Sequence, residues 1–542
     1  YLHRLLFDRK ARRTSLSVIG IALLFSLALP AIKLVKFRML PKADREQFFL
    51  YVDLPAGTSL ERTNEVTRIL ENRLMKHPEV TGLQSYVGRP PILDFNGLFR
   101  GVDARMQSWQ STIRVGLTEP ENRDEKSEEI VLKLRPKIYS ELAKLLPGQN
   151  VKLKFVEDPP GPPVRSTLLV RIQGYDNDLL EQVTHNLYPH IRKIDEVVDT
   201  DISIPESRTT VSLKVDQSAA SRRRIAPAQI VSALNTAYSG SVMGIYHNEN
   251  NIEQEYITLR MDRSFRDSIP DIMSISLFND LGIRVPLGDM VRVVEEPTVI
   301  PLERENRMNS YYILGDMGDR SITYAAIDIL FLLADYQPVP GAKLESFNLF
   351  GADYRTADGK LIQISLGGEW ELTLEVFRDL GIAMGVAIFL VYVVLVAQFG
   401  SYREPMIIMS TIPLSLIGVM PGFMVLDWTS GIYFTATSMI GVIALAGIAV
   451  NNSIILLEYL NDLKKSGMGL EEALVEAGST RFRPIMLTTV TTMLGSLTIA
   501  SDPVWAGLAF AIFFGLGVSS VLTLIVFPVL YYIFKGPTWG RQ

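Results

Sequence analysis

The chain has 542 residues, 54 of them Lys or Arg and 59 Asp or Glu, for a net charge of −5. That length exceeds one ordinary domain, and the slight acidity excludes the basic footprint of a nucleic-acid partner. The absence of cysteine and the presence of only 5 histidines exclude a disulfide framework and leave few ligands for zinc.

In chain order, a basic segment, residues 1–13, precedes an apolar run. No small-residue cleavage site follows that run, so residues 14–35 are expected to stay as a transmembrane helix rather than leave as a signal peptide. A chain opening on Tyr1 is expected to be a piece of a longer polypeptide. Five more apolar runs follow a polar stretch over 36–375: 376–398, 405–426, 434–459, 484–501 and 505–534. Each of the six is long enough to cross about 30 Å of hydrocarbon as a helix, leaving 535–542 as a tail.

Basic residues orient the spans. Arg4, Arg9, Lys10, Arg12 and Arg13 precede the first span, Arg403 lies between the second and third, Lys464, Lys465, Arg481 and Arg483 lie between the fourth and fifth, and Lys535 follows the sixth. Six spans put all of these on one side, expected to be cytoplasmic. The opposite short loops, "LDWTSGIY" and "SDPVWAG", carry no Lys or Arg, so the large polar domain is expected outside the inner membrane. Lys33, Lys36 and Arg38 run against this trend.

That domain alternates strand and helix patterns. "QFFLYVDLP", "STIRVGLTE" and "VKLKFVE" read as strands, and "SLERTNEVTRILENRLMKH" and "SEEIVLKLRPKIYSELAKLL" as amphipathic helices. The order recurs after "EDPPGPPV", whose prolines make a stiff linker. The expected architecture is an α+β membrane protein with tandem βαβ (ferredoxin-like) sandwiches between spans one and two. The first sandwich covers about 40–157, the second 165–224 with its remainder in 291–375, and a less regular portion 225–290. Residues 462–480 read as an amphipathic helix along the cytoplasmic face.

Polar residues inside the spans are the conspicuous feature. Helical spacing puts Ala444, Gly447, Asn451 and Glu458 on one stripe, with Asn452 beside it, and Thr488, Thr491, Thr492 and Gly495 on another. Small residues let helices approach and amides then bond across the contact; polar groups in membranes also mark ion or proton routes. Both readings stay open from spacing alone. Glu458, followed by Tyr459 and Asn461, reads as an interface anchor. No nucleophile–His–acid set or phosphate loop occurs, so an enzyme is not expected.

The ordered motifs "FRMLPKADREQFFLYVDLPAGTSLERT", "EDPPGPPV", "VPLGDMVRV", "IPLERENRMNS", "LVYVVLVAQFGSYREPMIIMSTIPLSLIG", "GIAVNNSIILLEYLND" and "GSTRFRPIMLTTVTTMLGSL" resemble the C-terminal half of a resistance-nodulation-division (RND) efflux transporter, most like its hydrophobe/amphiphile, multidrug branch. The resemblance implies a homotrimer driven by the proton gradient with no cofactor. It also implies export of amphiphilic small molecules with a periplasmic adaptor and outer-membrane channel, and proton-loading acids on an N-terminal half. It places Asn451 where multidrug members often carry a lysine, with Asn452, Thr488 and Arg481 as proton-relay support. An amide donates a hydrogen bond but cannot neutralise a carboxylate. "ILDFNGLFRG" resembles the family's switch loop, with Phe95 and Phe99 against substrate, and 225–290 its docking portion. Met75 and Met106 are isolated and read as packing, not metal ligands. A protein-translocation accessory subunit, or a membrane scaffold or receptor with a periplasmic binding domain, is the alternative.

Overall fold

The computed structural model describes residues 2–41, 44–146, 148, 151–158, 161–204, 208–247, 251, 254–266, 268–298 and 301–535. The expected tail after Lys535 and the two prolines Pro159 and Pro160 of the linker lie outside the described residues. The chain forms two compact units, Tyr1–Ile204 with Leu302–Gln542, and Pro205–Pro301.

In the first unit, Gln47–Asp53, Val80–Val87, Gln110–Leu117 and Lys152–Glu157 form a four-stranded antiparallel sheet with Gln110–Leu117 and Gln47–Asp53 central. Its chain order is strand, helix, two strands, helix, strand, the helices being Leu60–Leu74 and Ser127–Leu145. Phe48, Leu50 and Val52 alternate onto one face and are buried with Val66, Leu70, Ile130, Leu134 and Phe155. A larger sheet has Leu168–Gly174 between Met308–Met317 and Leu361–Gly368, extended outward by Gly351–Arg355 and Lys343–Asn348. Helices Asn177–Arg192 and Ile322–Asp335 share its core. Strand Thr209–Val215, expected to close this second sandwich, instead pairs with Val291–Pro297. Both lie in the second unit, where Ala220, Ile225, Ile230, Leu287 and Met290 make a separate small core.

The two sandwiches of the first unit are joined by charges. The Asp199 carboxylate accepts from the Phe155 amide at 2.8 Å and pairs with Arg135 at 3.1 Å. Asp201 meets Lys154 at 2.6 Å and Lys152 at 3.1 Å. The second sandwich thus caps an edge strand of the first, a way of blunting an exposed sheet edge.

Among the described residues, five helices are long and apolar enough to cross a membrane: Arg9–Ala31, Glu369–Phe399, Arg403–Ser430, Ala436–Lys465 and Ala506–Lys535. The third is interrupted: Arg403–Met409 gives way to a 3-10 turn at Pro413–Ser415 before Leu416–Ser430, because Pro413 cannot donate its backbone hydrogen. The expected surface helix 462–480 and the expected span 484–501 differ from the structure. Residues 462–465 end the helix Ala436–Lys465, and Leu470–Leu497 is one continuous helix. Its buried residues Leu470, Ala473, Leu474 and Ala477 before Pro484, and Ile485 and Thr489 after it, pack on both sides of the proline and hold the helix together where it is weakened.

Helix Ala506–Lys535 packs closely against its neighbours because small residues line its contacts. A Cβ on Gly515 would collide with Leu445 and sit 2.8 Å from Val419, so only glycine permits this approach. At one end of the bundle Lys535 pairs with Glu404 at 2.9 Å, and Leu6 joins a core with Leu395, Ile407, Leu460 and Leu474. At the other end Lys36 pairs with Asp427 at 3.2 Å and the Phe434 amide donates to Lys36 O. Lys36 and Arg38 also stand over the Tyr433 ring. These two basic residues that run against the charge trend thus have local partners of their own.

Candidate functional site

Among the polar residues of the helices are a buried knot and a set of exposed positions on two helices. In the knot, Asn452 Nδ2 donates to Ser520 Oγ at 3.0 Å and Thr489 Oγ1 donates to the same oxygen at 2.8 Å. Ser453 Oγ lies 3.4 Å from Thr411 Oγ1. Asn452, Ser453, Thr489 and Ser520 are all buried, so three helices exchange hydrogen bonds that lipid could not supply. Asn452 therefore bonds within the chain.

Asn451 is the opposite case. It is exposed, as are Ala444, Gly447, Glu458, Thr488, Thr491 and Gly495, with Thr492 half-buried. A Cβ at Gly447 or Gly495 would meet nothing within 4 Å. The Thr488 hydroxyl turns back to its own helix, to Ile485 O at 2.9 Å and Pro484 O at 3.2 Å. Among the described residues, neither Asn451 nor Thr488 therefore joins the hydrogen-bonded knot around Asn452. The residues that do meet Asn452's neighbourhood, Thr489 and Ser520, escaped the sequence reading. Their signal is the small-residue series Gly507, Ala511, Gly515, Ser519 in an otherwise apolar helix, all buried. Arg481 places its guanidinium 4.6 Å from the Tyr459 ring centroid, a cation–π contact near the helix end.

On the sandwich side, "DFNGLFRG" is not an open loop. Phe95–Arg100 is a short helix capped by Asp94, whose side chain accepts from the Gly97 amide at 2.6 Å. It ends at Gly101 in the left-handed conformation, φ 69°. Asn96 Nδ2 donates to Asp158 at 3.0 Å and Arg100 donates to Glu157 O at 3.3 Å, tying the helix down. Phe95 and Phe99 face outward, 68% and 50% exposed, edge to face with centroids 5.5 Å apart. Beside this helix a cavity of about 230 Å³ opens between the two sandwiches, lined by Tyr51, Phe155, Arg100, Arg105, Lys154 and Arg165 among others. Arg105 stands 4.7 Å over Tyr51 and pairs with Asp53 at 3.0 Å; Arg165 pairs with Glu303 at 2.7 Å. Burial pushes the Tyr51 hydroxyl up against the opposing pull of Arg100 and Arg105, so this wall presents neutral aromatic surface beside cations.

The AcrB/AcrD/AcrF family profile matches residues 4–340 and 360–535. The "Cation efflux system protein CzcA" of Alcaligenes sp. (strain CT14) is 24% identical over 494 residues, 88% of this chain and 43% of that protein. The "Multidrug resistance protein MdtC" of Erwinia tasmaniensis is 26% identical over 426 residues, 76% of this chain and 38% of that protein. A crystal structure of a heavy metal efflux pump superposes with a TM-score of 0.75 at 22% identity, covering 98% of this chain and 52% of that one. The chain therefore spans about half the length of the relatives it matches.

Proposed function

This chain belongs to the AcrB/AcrD/AcrF family of RND efflux transporters, and on that premise we propose that it acts as one half of a proton-driven exporter of organic amphiphiles. Its helices, including Leu470–Leu497 as a sixth span, lie in the inner membrane. The two sandwiches, ferredoxin-like in the order of their elements, project into the periplasm. The observation that carries this reading is that Ala444, Gly447 and Asn451 on one helix and Thr488 and Thr491 on another are all exposed. A polar, small-residue helical face is costly toward lipid and suited to close contact with other helices. None of these groups titrates near neutral pH, and Glu458 further along the first helix reads as an interface anchor, so the carboxylates that carry the proton are assigned to the helices covering these faces. Asn451 and Thr488 orient those carboxylates by hydrogen bonding. The working assembly is a homotrimer joined to a periplasmic adaptor and an outer-membrane channel.

Amphiphile export is favoured over metal export by the cavity between the sandwiches. Its lining sets Arg100, Arg105, Lys154 and Arg165 against two carboxylates, Asp199 and Asp316, an excess of cations that disfavours a metal ion, while Tyr51 and Phe155 offer apolar contact. The likeness to CzcA motivates the metal reading. Cells carrying the complete transporter, challenged in parallel with amphiphilic dyes and with cobalt, zinc and cadmium salts, separate the two. Resistance to dyes alone supports our reading, and resistance to the metals alone overturns it.

A further inference from the structure

At the end of the first span, within the larger unit, a cavity of about 310 Å³ is lined by Lys33, Lys36, Asp195, Glu196, Asp319, Arg320, Ser321, Tyr324 and Tyr433. Its charges are not randomly satisfied. Lys36 is paired with Asp427 at 3.2 Å and Arg320 with Asp328 at 2.7 Å. Glu196 Oε2 accepts from the Asp319 amide at 3.2 Å. What remains without a charged partner among the described residues is one cation, Lys33, and three carboxylates, of which Glu196 is held by a backbone amide and Asp195 and Asp319 are left. Lys33 is exposed and has no carboxylate within ion-pair distance among the described residues; its ammonium lies 5.7 Å from the Tyr324 ring. Asp195 and Asp319 are exposed and likewise carry no paired Lys or Arg among the described residues.

The placement of these charges follows the chain. Lys33 comes two residues after the last residue of Arg9–Ala31, so it sits at the rim of the apolar span. Asp195 and Asp319 sit on turns of the second sandwich, beyond that rim, beside strands Val197–Ile202 and Met308–Met317. Trp428 and Trp505, 67% and 47% exposed, stand in the short helix ends and loop on the same side as Tyr433, where amphipathic rings mark a membrane–water boundary.

A positive charge near the hydrocarbon, negative charges further out and two tyrosines in the same lining match one ligand class. We propose that this cavity holds the headgroup of a zwitterionic phospholipid with a primary ammonium, its phosphate at Lys33 and its ammonium at Asp195 and Asp319. In such a headgroup the phosphate lies nearer the acyl chains and the ammonium further out, so its dipole is antiparallel to that of the cavity. A primary ammonium offers three donors to carboxylates and can stand over an aromatic face, whereas a quaternary one offers no donor. An anionic headgroup would satisfy Lys33 and be repelled by both aspartates. The site serves as a lipid anchor for the sandwich on the membrane. It rests on the membrane reading of Arg9–Ala31 and not on the identity of the exported compound.

The test is native mass spectrometry of the purified full chain in detergent, titrated in turn with phosphatidylethanolamine, phosphatidylcholine and phosphatidylglycerol of identical acyl chains, and with soluble phosphoethanolamine. The expected result is a preference of about fivefold to tenfold for phosphatidylethanolamine over the other lipids, the size of one favourable charge contact. Soluble phosphoethanolamine should compete only weakly. Lys33→Gln should weaken phosphatidylethanolamine and phosphatidylglycerol alike, with Lys33→Arg restoring both. The double variant Asp195→Asn with Asp319→Asn should strengthen phosphatidylglycerol binding and abolish the preference. Equal binding of all three lipids by the native chain, or an unchanged preference in the double variant, overturns the proposal. So does soluble phosphoethanolamine competing as strongly as the lipid, since the ligand is then a free zwitterion. A chain that fails to insert into membranes at all overturns the membrane reading instead.

Discussion

Asn451 and Asn452 are neighbours in sequence that face opposite environments: Asn452 is buried with its amide 3.0 Å from Ser520 Oγ, and Asn451 is exposed. Adjacent positions on a helix lie about 100° apart, so one amide can fix the bundle while the other is presented outward. The pair separates an amide bonded inside the bundle from an amide presented outward within two residues.

The first consequence concerns stability. Asn452→Ala removes one donor from the knot at Ser520 and should lower the stability of the isolated chain by about 1 kcal/mol. Asn451→Ala should leave it unchanged. Thermal unfolding of both variants in the same detergent checks this, and equal losses would mean that Asn451 also bonds within the chain.

A second consequence lies at the closest helix contact. Gly515→Val places a branched side chain against Leu445 and Val419. Overpacking of this kind costs about 1–3 kcal/mol, so the yield of monodisperse protein in size-exclusion chromatography should fall sharply. Gly495→Val, where a Cβ meets nothing within 4 Å, should leave the yield of the isolated chain intact.

The junction between the sandwiches should respond to acid. Burial raises the Asp201 carboxyl, and the Lys154 and Lys152 ammoniums outweigh it, so the net shift is downward. A depressed folded value means that this contribution is present above the ordinary carboxylate value of about 3.9 and lost as pH falls through the folded value. Asp199 shifts the other way: its burial outweighs the opposing pull of Arg135 and of the Phe155 amide. Its protonation therefore favours the folded state as pH falls. Urea midpoints of the native chain should drop, as pH falls below about 3.9, by more than those of Asp201→Asn. An identical acid limb in both would remove Asp201 from the account.

On the substrate side, Phe95 and Phe99 are exposed, so replacing both by Ala should change thermal stability little. Export of bulky dyes by the complete transporter should fall severalfold. A parallel loss of folded protein would assign the aromatic pair to packing.

Much of this architecture was legible. Alternation in "QFFLYVD" and helical spacing in "LERTNEVTRILENRL" give the first sandwich because each element has one buried face. Strand Val80–Val87 was not legible: its half-exposed, weakly alternating residues give no clear period. Pairing of Thr209–Val215 with Val291–Pro297 joins residues about eighty apart, which local pattern cannot specify. The polar stripe was visible from spacing, but which amide turns inward was not, since that depends on Ser520 in a different helix. The helical form of Phe95–Arg100 was hidden because its Asp94 cap and Gly97 read equally as turn residues.

The central claim is that the exposed face bearing Asn451 and Thr488 couples protons only when other helices cover it. Dye export from proteoliposomes under an imposed pH gradient tests this most directly, comparing this chain alone, the chain with its N-terminal half supplied, and that assembly carrying Asn451→Leu. The account predicts no export by the chain alone, export by the assembly, and a loss of at least about tenfold in the variant with its trimer intact by sizing. Export by the chain alone, or full export by the variant, would contradict it.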